Sequence, residues 1–417
     1  MNVGFACLSI GVYHNDYKTI RKDNLTDSKL IEIIKYNLES LSYIIDYNIK
    51  NNLKLFRISS DVIPFGSSPF NQLEWWIIFK DKFKELSRKI KDNQIRVSMH
   101  PGQYTVLNSP NEEVVDRSIE DLIYHAKVLD YLETKSTSKI ILHIGGVYGD
   151  KQSAMKRFLN NYQRLPQNVK DRLIIENDDR SYNIADVLEI SRSLNIPVVF
   201  DNLHHKINPP NVQKTDQEWI NLCRLTFKEK DGTQKVHYSE QDPLKQPGAH
   251  SKTINPNTFL DYYHLLNRDD IDIMLEVKDK NVSAVKIKDC TNKNLKAKDL
   301  ESSWAKYKYS ILEYSPNTYF QIRELLKDKT NLDPLHFYNR IDNALNEPLL
   351  LNNQINAIDH VWGYFKTYLI EKENYLKKLD KLKKGSLSVK SMKKYLFNLA
   401  VKNNITYLLE SYYFDLV

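Results

Sequence analysis

The chain has 417 residues, of which 41% are hydrophobic and 27% are charged, and it carries a formal net charge of +7. This composition excludes a wholly disordered chain, and the length suits one large domain with a smaller one attached. The three cysteines show no CxxC spacing, which argues against a disulfide framework or a cysteine zinc site. Because no signal peptide or long apolar run is evident, we expect an intracellular chain that does not enter a membrane.

Eight short apolar or β-branched segments occur in the first 280 residues, and each is followed by a polar loop and a helix-like stretch. In chain order they are NVGFAC (2–7), LKLFRIS (53–59), IRVSM (95–99), KIILH (139–143), LIIEN (173–177), PVVFD (197–201), KVHYS (235–239) and DIMLEV (272–277). Eight alternating strands and helices predict an α/β fold, a closed TIM (β/α)8 barrel. No GxGxxG turn follows the first strand, which argues against a doubly wound open sheet.

After about Thr291 the strand pattern ends and helix-like stretches continue. We predict a barrel domain over residues 1–325, a helical connector over 326–354 and a small basic helical extension over 355–417. From Val361 to the end there are 11 lysines and 5 acidic residues, so most of the net positive charge lies in this extension. Two interpretations stay open for it: a contact surface for DNA, or a solvated basic helical face.

Histidines, carboxylates and one lysine fall at or near the ends of the predicted strands. They are His100, His143, Glu176, Asp201, His204, Lys235 and His237 on the seventh strand, His250 in the loop after it, and Glu276. The C-terminal ends of barrel strands meet at one rim, so we expect these side chains to converge there. Glu176 lies inside the apolar segment LIIEN, where a buried carboxylate costs several kcal/mol unless it is paired or bound to metal.

Mixed imidazole and carboxylate ligands favour manganese, zinc or iron. The large number of candidate ligands indicates two or three ions. Two neighbouring ions can activate a water and stabilise a phosphate, which predicts phosphoester hydrolysis. The alternative is a metal-dependent sugar isomerase or epimerase, because such barrels also gather His, Glu and Asp at this rim. A DNA-binding protein without catalysis is a third hypothesis, but it does not account for the ligand set.

Seven motifs resemble, in order and spacing, those of the ultraviolet damage endonucleases, the UV-endonuclease UvdE family. They are MHPGQYTVLNSP, ILHIGGVYGDK, IENDD, FDNLHH, KVHYS, PGAHS and MLEVKDK, and the resemblance covers about residues 1–325. It implies a TIM barrel with up to three metal ions, typically manganese, with zinc or magnesium as alternatives. It also implies a monomer that nicks damaged double-stranded DNA immediately 5′ of cyclobutane dimers, 6–4 photoproducts and abasic sites.

The resemblance assigns roles to individual residues. The implied metal ligands are His100, His143, Glu176, Asp201, His204, His237, His250 and Glu276. Glu176, Lys235 and Glu276 are the expected catalytic residues, and Lys235 matches a lysine that can be carboxylated near the metals. Gln103 and Tyr104 match a pair that probes the damaged duplex.

The chain departs from the family pattern at three positions. Ser68 stands where the family usually has a histidine ligand, and Phe5 and Ser9 stand where a tyrosine and an asparagine associated with lesion contact are expected. Phe5 and Ser9 remain the candidates for lesion contact in this chain. The segment 360–414 resembles a small helical domain of unknown function, which implies no activity.

Overall fold

Eight parallel strands form a closed barrel in which each strand pairs with the next one along the chain. The computed structural model describes residues 1–12, 14, 16–367 and 369–416, without the side chains of 369 and 370. The strands are β1 (Asn2–Ala6), β2 (Leu55–Ile58), β3 (Arg96–Met99), β4 (Ile140–His143), β5 (Leu173–Glu176), β6 (Val198–Asp201), β7 (Gln234–Tyr238) and β8 (Ile271–Leu275). All eight predicted strands and the TIM-barrel fold are confirmed.

Helices follow the strands. They are α1 (Asp27–Lys50), α2 (Trp75–Ile78), α3 (Lys80–Asp92), α4 (Glu112–Tyr131), α5 (Lys151–Gln163), α6 (Gln167–Arg172), α7 (Ile184–Leu194), α8 (Asn202–Ile207), α9 (Asp216–Arg224), α10 (Pro256–Leu266) and α11 (Asn281–Thr291), with 3-10 turns at Lys22–Asn24, Ser60–Val62 and Glu229–Asp231. Local sequence fixes their starts: Asn183 and Asp186 form a capping box at α7, and the Asn111 side chain accepts from the Glu113 amide at α4.

Side chains of three adjacent strands form an apolar layer inside the barrel. Ile141, Ile174 and Val199 are fully buried and pack together. Because side chains alternate along a strand, the residues two positions further on point to the same interior. Those residues are His143, Glu176 and Asp201, the last residues of their strands. The polar residues therefore lie directly above an apolar layer, at the C-terminal rim.

The chain divides into two compact units, Met1–Ser9 with His14–Lys288 and Ile10–Tyr13 with Asp289–Val417. The second, the C-terminal unit, contains α12 (Ala297–Tyr314), α13 (Pro316–Leu325), α14 (Pro334–Leu345), α15 (Leu351–Trp362), α16 (Leu369–Lys383), α17 (Val389–Lys402) and α18 (Thr406–Leu409), with 3-10 turns at Gly363–Phe365 and Tyr412–Phe414. Among the described residues, no helix has the length and apolarity needed to cross a membrane.

One hydrophobic core joins the helices of the C-terminal unit. Tyr309 and Leu312 of α12 belong to the same cluster as Ile358 of α15 and Leu396 of α17. The division after Lys288 therefore differs from the predicted boundaries at 325 and 355. The physical reason is that α12, which we placed with the barrel, shares its core with α15 and α17.

Candidate metal centre

Seven of the eight expected ligands come together at the barrel rim in three overlapping groups. Within each group, one ligand atom per residue lies within 4.8 Å of the others. Among the residues that the structure describes, the groups are His100 with His143 and Glu176, Glu176 with Asp201 and His204, and Asp201 with His237 and Glu276. The eighth expected ligand, His250, lies outside these groups, but its Nε2 is 3.8 Å from Oε2 of Glu276.

Glu176 lies at the centre of the arrangement and is fully buried. Its Oε2 is 3.1 Å from Nε2 of His100 and 3.7 Å from Nε2 of His143, whereas its Oε1 is 2.6 Å from Nδ1 of His237. The two oxygens of one carboxylate therefore face different imidazoles. This is the geometry expected of a carboxylate that can bridge two cations.

The buried charges shift the pKa values in opposite directions. Burial lowers the pKa of His143 to about 4. Burial also opposes the charged form of His204, but Asp201 and Glu176 outweigh it and raise the pKa of His204 to about 9. Burial raises the pKa of Asp201 to about 6. His143 is therefore neutral near pH 7, the form of an imidazole that binds a metal, whereas a cation would displace a proton from His204.

Several buried polar atoms at the rim have no hydrogen-bond partner among the described residues. They are Nδ1 of His143, Oδ2 of Asp201 and Nε2 of His237. An unsatisfied buried polar group is costly, so such atoms are rare without a role. Imidazole nitrogens and carboxylate oxygens are ligands of divalent cations, so the residues present fit a metal centre.

Lys235 lies on β7 two residues before His237, so the two side chains share a face of the strand. It is 1% exposed, and its Nζ has no hydrogen-bond partner among the described residues. Burial and the nearby Arg96 guanidinium hold the pKa of Lys235 well below its usual value. Burial therefore disfavours a positive charge on this amine.

Two further residues support the ligands and were missed in the sequence. Arg57 on β2 donates from Nη1 to Oε1 of Glu276, and, although burial opposes it, Arg57 holds the pKa of Glu276 far below its usual range. The Asn177 side chain donates to the backbone oxygen of Asp201 at 3.1 Å and accepts from its amide at 2.9 Å. The carbonyl oxygen of Asn177 accepts from Nδ1 of His204 at 3.0 Å, which leaves Nε2 for a cation.

Both residues carried a signal in the sequence. Arg57 is a charged residue within the apolar segment LKLFRIS, and Asn177 directly follows Glu176. A buried charge needs a partner, so Arg57 in particular could have been assigned to the site.

The predicted lesion residues separate into two classes. Gln103 and Tyr104 are exposed, Tyr104 by 71%, and they line a cavity of about 440 Å³ together with the expected ligands His143 and His204. Phe5 and Ser9 are buried, at 0% and 1% exposed, and the Phe5 ring lies 5.1 Å from that of Phe56. Since a buried side chain offers no surface to DNA, the structure does not support lesion contact by Phe5 or Ser9.

Ser68 lies in the loop after β2. Its hydroxyl accepts from the backbone amide of Phe70 at 3.3 Å, and it lines a cavity of about 270 Å³ with Asp61 and Tyr104. Serine stands here where the family usually has a histidine, so a small polar side chain lines the same cavity as Tyr104.

The comparisons with known proteins cover both units. The model of the UV-endonuclease UvdE family matches residues 4–306, and that of a family of unknown function, DUF1722, matches residues 308–416. The UV DNA damage endonuclease of Clostridium perfringens (strain 13 / Type A) is 41% identical over 384 residues, 91% of this chain and 92% of that protein. That of Bacillus cereus (strain G9842) is 31% identical over 66% of this chain and 86% of its own length. The crystal structure of SacUVDE is 39% identical, with a TM-score of 0.65 over 69% of this chain and 96% of that one.

Proposed function

This chain belongs to the UV-endonuclease UvdE family, and from that premise we propose that it hydrolyses the DNA phosphodiester immediately 5′ of ultraviolet photoproducts. The proposed substrates are double-stranded DNA with cyclobutane dimers, 6–4 photoproducts or abasic sites. One observation carries the proposal: Oε2 of Glu176 lies 3.7 Å from Nε2 of His143, and His143 lines one cavity with Gln103 and Tyr104.

The proposed cofactors are two or three divalent cations, with manganese first and zinc or magnesium as alternatives. Three overlapping ligand groups support up to three positions, and their mixed imidazole and carboxylate composition suits manganese or zinc. When bound, such ions polarise the phosphate and lower the pKa of a coordinated water, which supplies a nucleophile at neutral pH.

The residues of the chain hold and orient this chemistry. Glu176 and Asp201 each belong to two ligand groups, so each would bridge two cations. Arg57 fixes the carboxylate of Glu276, and the Asn177 amide fixes the backbone at Asp201. Ligands held by such outer contacts need no reorganisation when the substrate arrives.

Lys235 has a proposed role of its own, as the resemblance implies. Its amine has no hydrogen-bond partner among the described residues, and burial lowers its pKa, which favours the neutral amine whose lone pair can react. Attack of this nitrogen on carbon dioxide forms a nitrogen–carbon bond and releases one proton to solvent. The product is an anionic carbamate, which suits a place among cations better than an ammonium group does.

Gln103 and Tyr104 are proposed to read the damage. Lesions of different chemistry share a poorly stacked duplex, so an enzyme that accepts several of them must test how easily the DNA deforms. Stacking of one aromatic ring on a base is worth about 1–3 kcal/mol, comparable to the few kcal/mol needed to unstack a damaged step. An exposed Tyr104 beside the ligands can therefore fill the gap that extruded nucleotides leave.

Relaxation of irradiated supercoiled plasmid by the full chain tests the proposal. We expect nicking that EDTA abolishes and added manganese restores, with little cleavage of unirradiated plasmid. An end-labelled oligonucleotide with one cyclobutane dimer then locates the cut. Cleavage that survives metal removal, or a cut on the 3′ side of the dimer, would contradict the proposal.

A further inference from the structure

The C-terminal unit contains a cavity of about 290 Å³ that is lined by residues of this unit. This volume is near the lower end for small-ligand pockets, roughly 300–1,000 Å³. Much of its wall is apolar and aromatic, with Tyr314 on α12, Phe397 on α17 and Phe414 near the end of the described chain. The rings of Phe397 and Phe414 lie 5.4 Å apart at an interplanar angle of 65°. The cavity therefore offers flat, partly exposed aromatic surfaces.

The charges deep in the cavity cancel each other. Lys393 donates from Nζ to Oε2 of Glu313, and both residues are buried, at 8% and 1% exposed. Gln354 donates to the other carboxylate oxygen at 3.4 Å. Because this pair is already satisfied, it does not compete for a ligand at the opening.

The opening of the cavity carries an excess of positive charge. Lys390 and Lys394 line it from successive turns of α17 and are exposed. Within the part of the chain that the structure describes, neither lysine forms an ion pair with a carboxylate. The acidic residue at the opening is Asp415, whose Oδ2 accepts from the backbone amide of Gly11 at 2.8 Å. Two free cations therefore face one carboxylate.

We propose that this cavity binds one nucleotide unit of single-stranded DNA, with the base against Phe397 and Phe414 and the phosphate against Lys390 and Lys394. Aromatic walls beside unpaired lysines are the combination by which proteins hold single strands without sequence preference. This proposal rests on the proposed function, because it takes DNA to be the polymer that the protein binds. It gives the C-terminal unit a ligand-binding role separate from cleavage.

Binding of a fluorescein-labelled eight-nucleotide oligothymidylate to the full chain tests the proposal by anisotropy. Phe397→Leu keeps an apolar side chain but removes the ring, and we expect it to raise Kd at least about fivefold. Lys390→Gln with Lys394→Gln should raise Kd by a similar factor and reduce the slope of log K against log salt by about 0.7 per lysine. The control matched in charge is Lys377→Gln with Lys384→Gln: Lys377 lies on α16, Lys384 directly follows it, both are exposed, and neither lines the cavity.

The control should leave Kd within about twofold of wild type, since the change in net charge is the same but the cavity is intact. If both lysine pairs weaken binding equally, or if Phe397→Leu binds as wild type does, the cavity assignment is wrong. Competition by thymidine monophosphate distinguishes a free nucleotide from a strand: displacement at concentrations near the oligonucleotide's Kd assigns the cavity to free nucleotide. Plasmid nicking by the same wild-type preparation separately reports whether the proposed function fails.

Discussion

Replacement of Glu176 by glutamine is the sharpest test of the metal centre. The amide keeps the shape of the side chain but removes a negative charge that lies 3.1 Å from His100 and 2.6 Å from His237. A unit charge pair about 4 Å apart is worth about 4 kcal/mol at an effective dielectric constant near 20. Loss of one such attraction would weaken the binding of a cation about a thousandfold, because about 1.4 kcal/mol corresponds to a tenfold change in a binding constant.

We therefore expect Glu176→Gln to nick irradiated plasmid at least about a thousandfold more slowly than wild type. Bound metal, measured by mass spectrometry after gel filtration, should fall as well, whereas circular dichroism should show a folded protein. Glu113→Gln, with a side chain 78% exposed on α4, is the matched control and should behave as wild type. Wild-type nicking by Glu176→Gln would refute the assignment of Glu176 to the metal centre.

Three further changes test other parts of the structure. Gln103→Ala with Tyr104→Ala should lose the preference for irradiated over intact duplex while metal content stays constant; an unchanged preference would place lesion reading elsewhere. Lys235→Ala should slow nicking by about 10- to 100-fold, as loss of a group that supports a metal typically does. The intact mass of native wild-type protein should show added carbon dioxide. Normal cutting by the variant would dismiss a catalytic role for this lysine. Removal of residues 355–417 should yield a destabilised, aggregation-prone protein, because it removes Ile358 and Leu396 from the hydrophobic core to which Tyr309 of α12 belongs. A soluble truncated protein that melts cooperatively would show that α12 does not need these partners.

Local pattern sufficed to predict the strands and to place the candidate ligands at their ends. Each strand is a short buried segment, and His143, Glu176 and Asp201 directly end theirs, so the barrel fold alone puts them at one rim. The three-group arrangement was not predictable, because it depends on which oxygen of Glu176 faces which imidazole. That is set by packing between strands distant in sequence, not by the segment LIIEN itself.

Phe5 shows why a position that matches a family pattern does not by itself determine the role of its side chain. A matching position gives the place on the strand, but the side chain found there decides whether it reaches a surface. In this chain Phe5 packs on Phe56 and is fully buried. The division into compact units differs from the predicted boundaries for a related reason. The sequence of α12 resembles that of any amphipathic helix, and only its long-range contact with α15 shows which core it joins.

If the three ligand groups hold cations as proposed, the sharing of Glu176 and Asp201 between groups would make the three positions thermodynamically dependent on one another. A cation that uses part of a shared carboxylate leaves less negative charge for its neighbour, so successive cations would bind with falling affinity. The group that contains Glu276 also lies beside the fixed positive charge of Arg57. This group would therefore release its cation first when metal becomes scarce, which would make the fully loaded centre a graded function of metal supply rather than an all-or-none state.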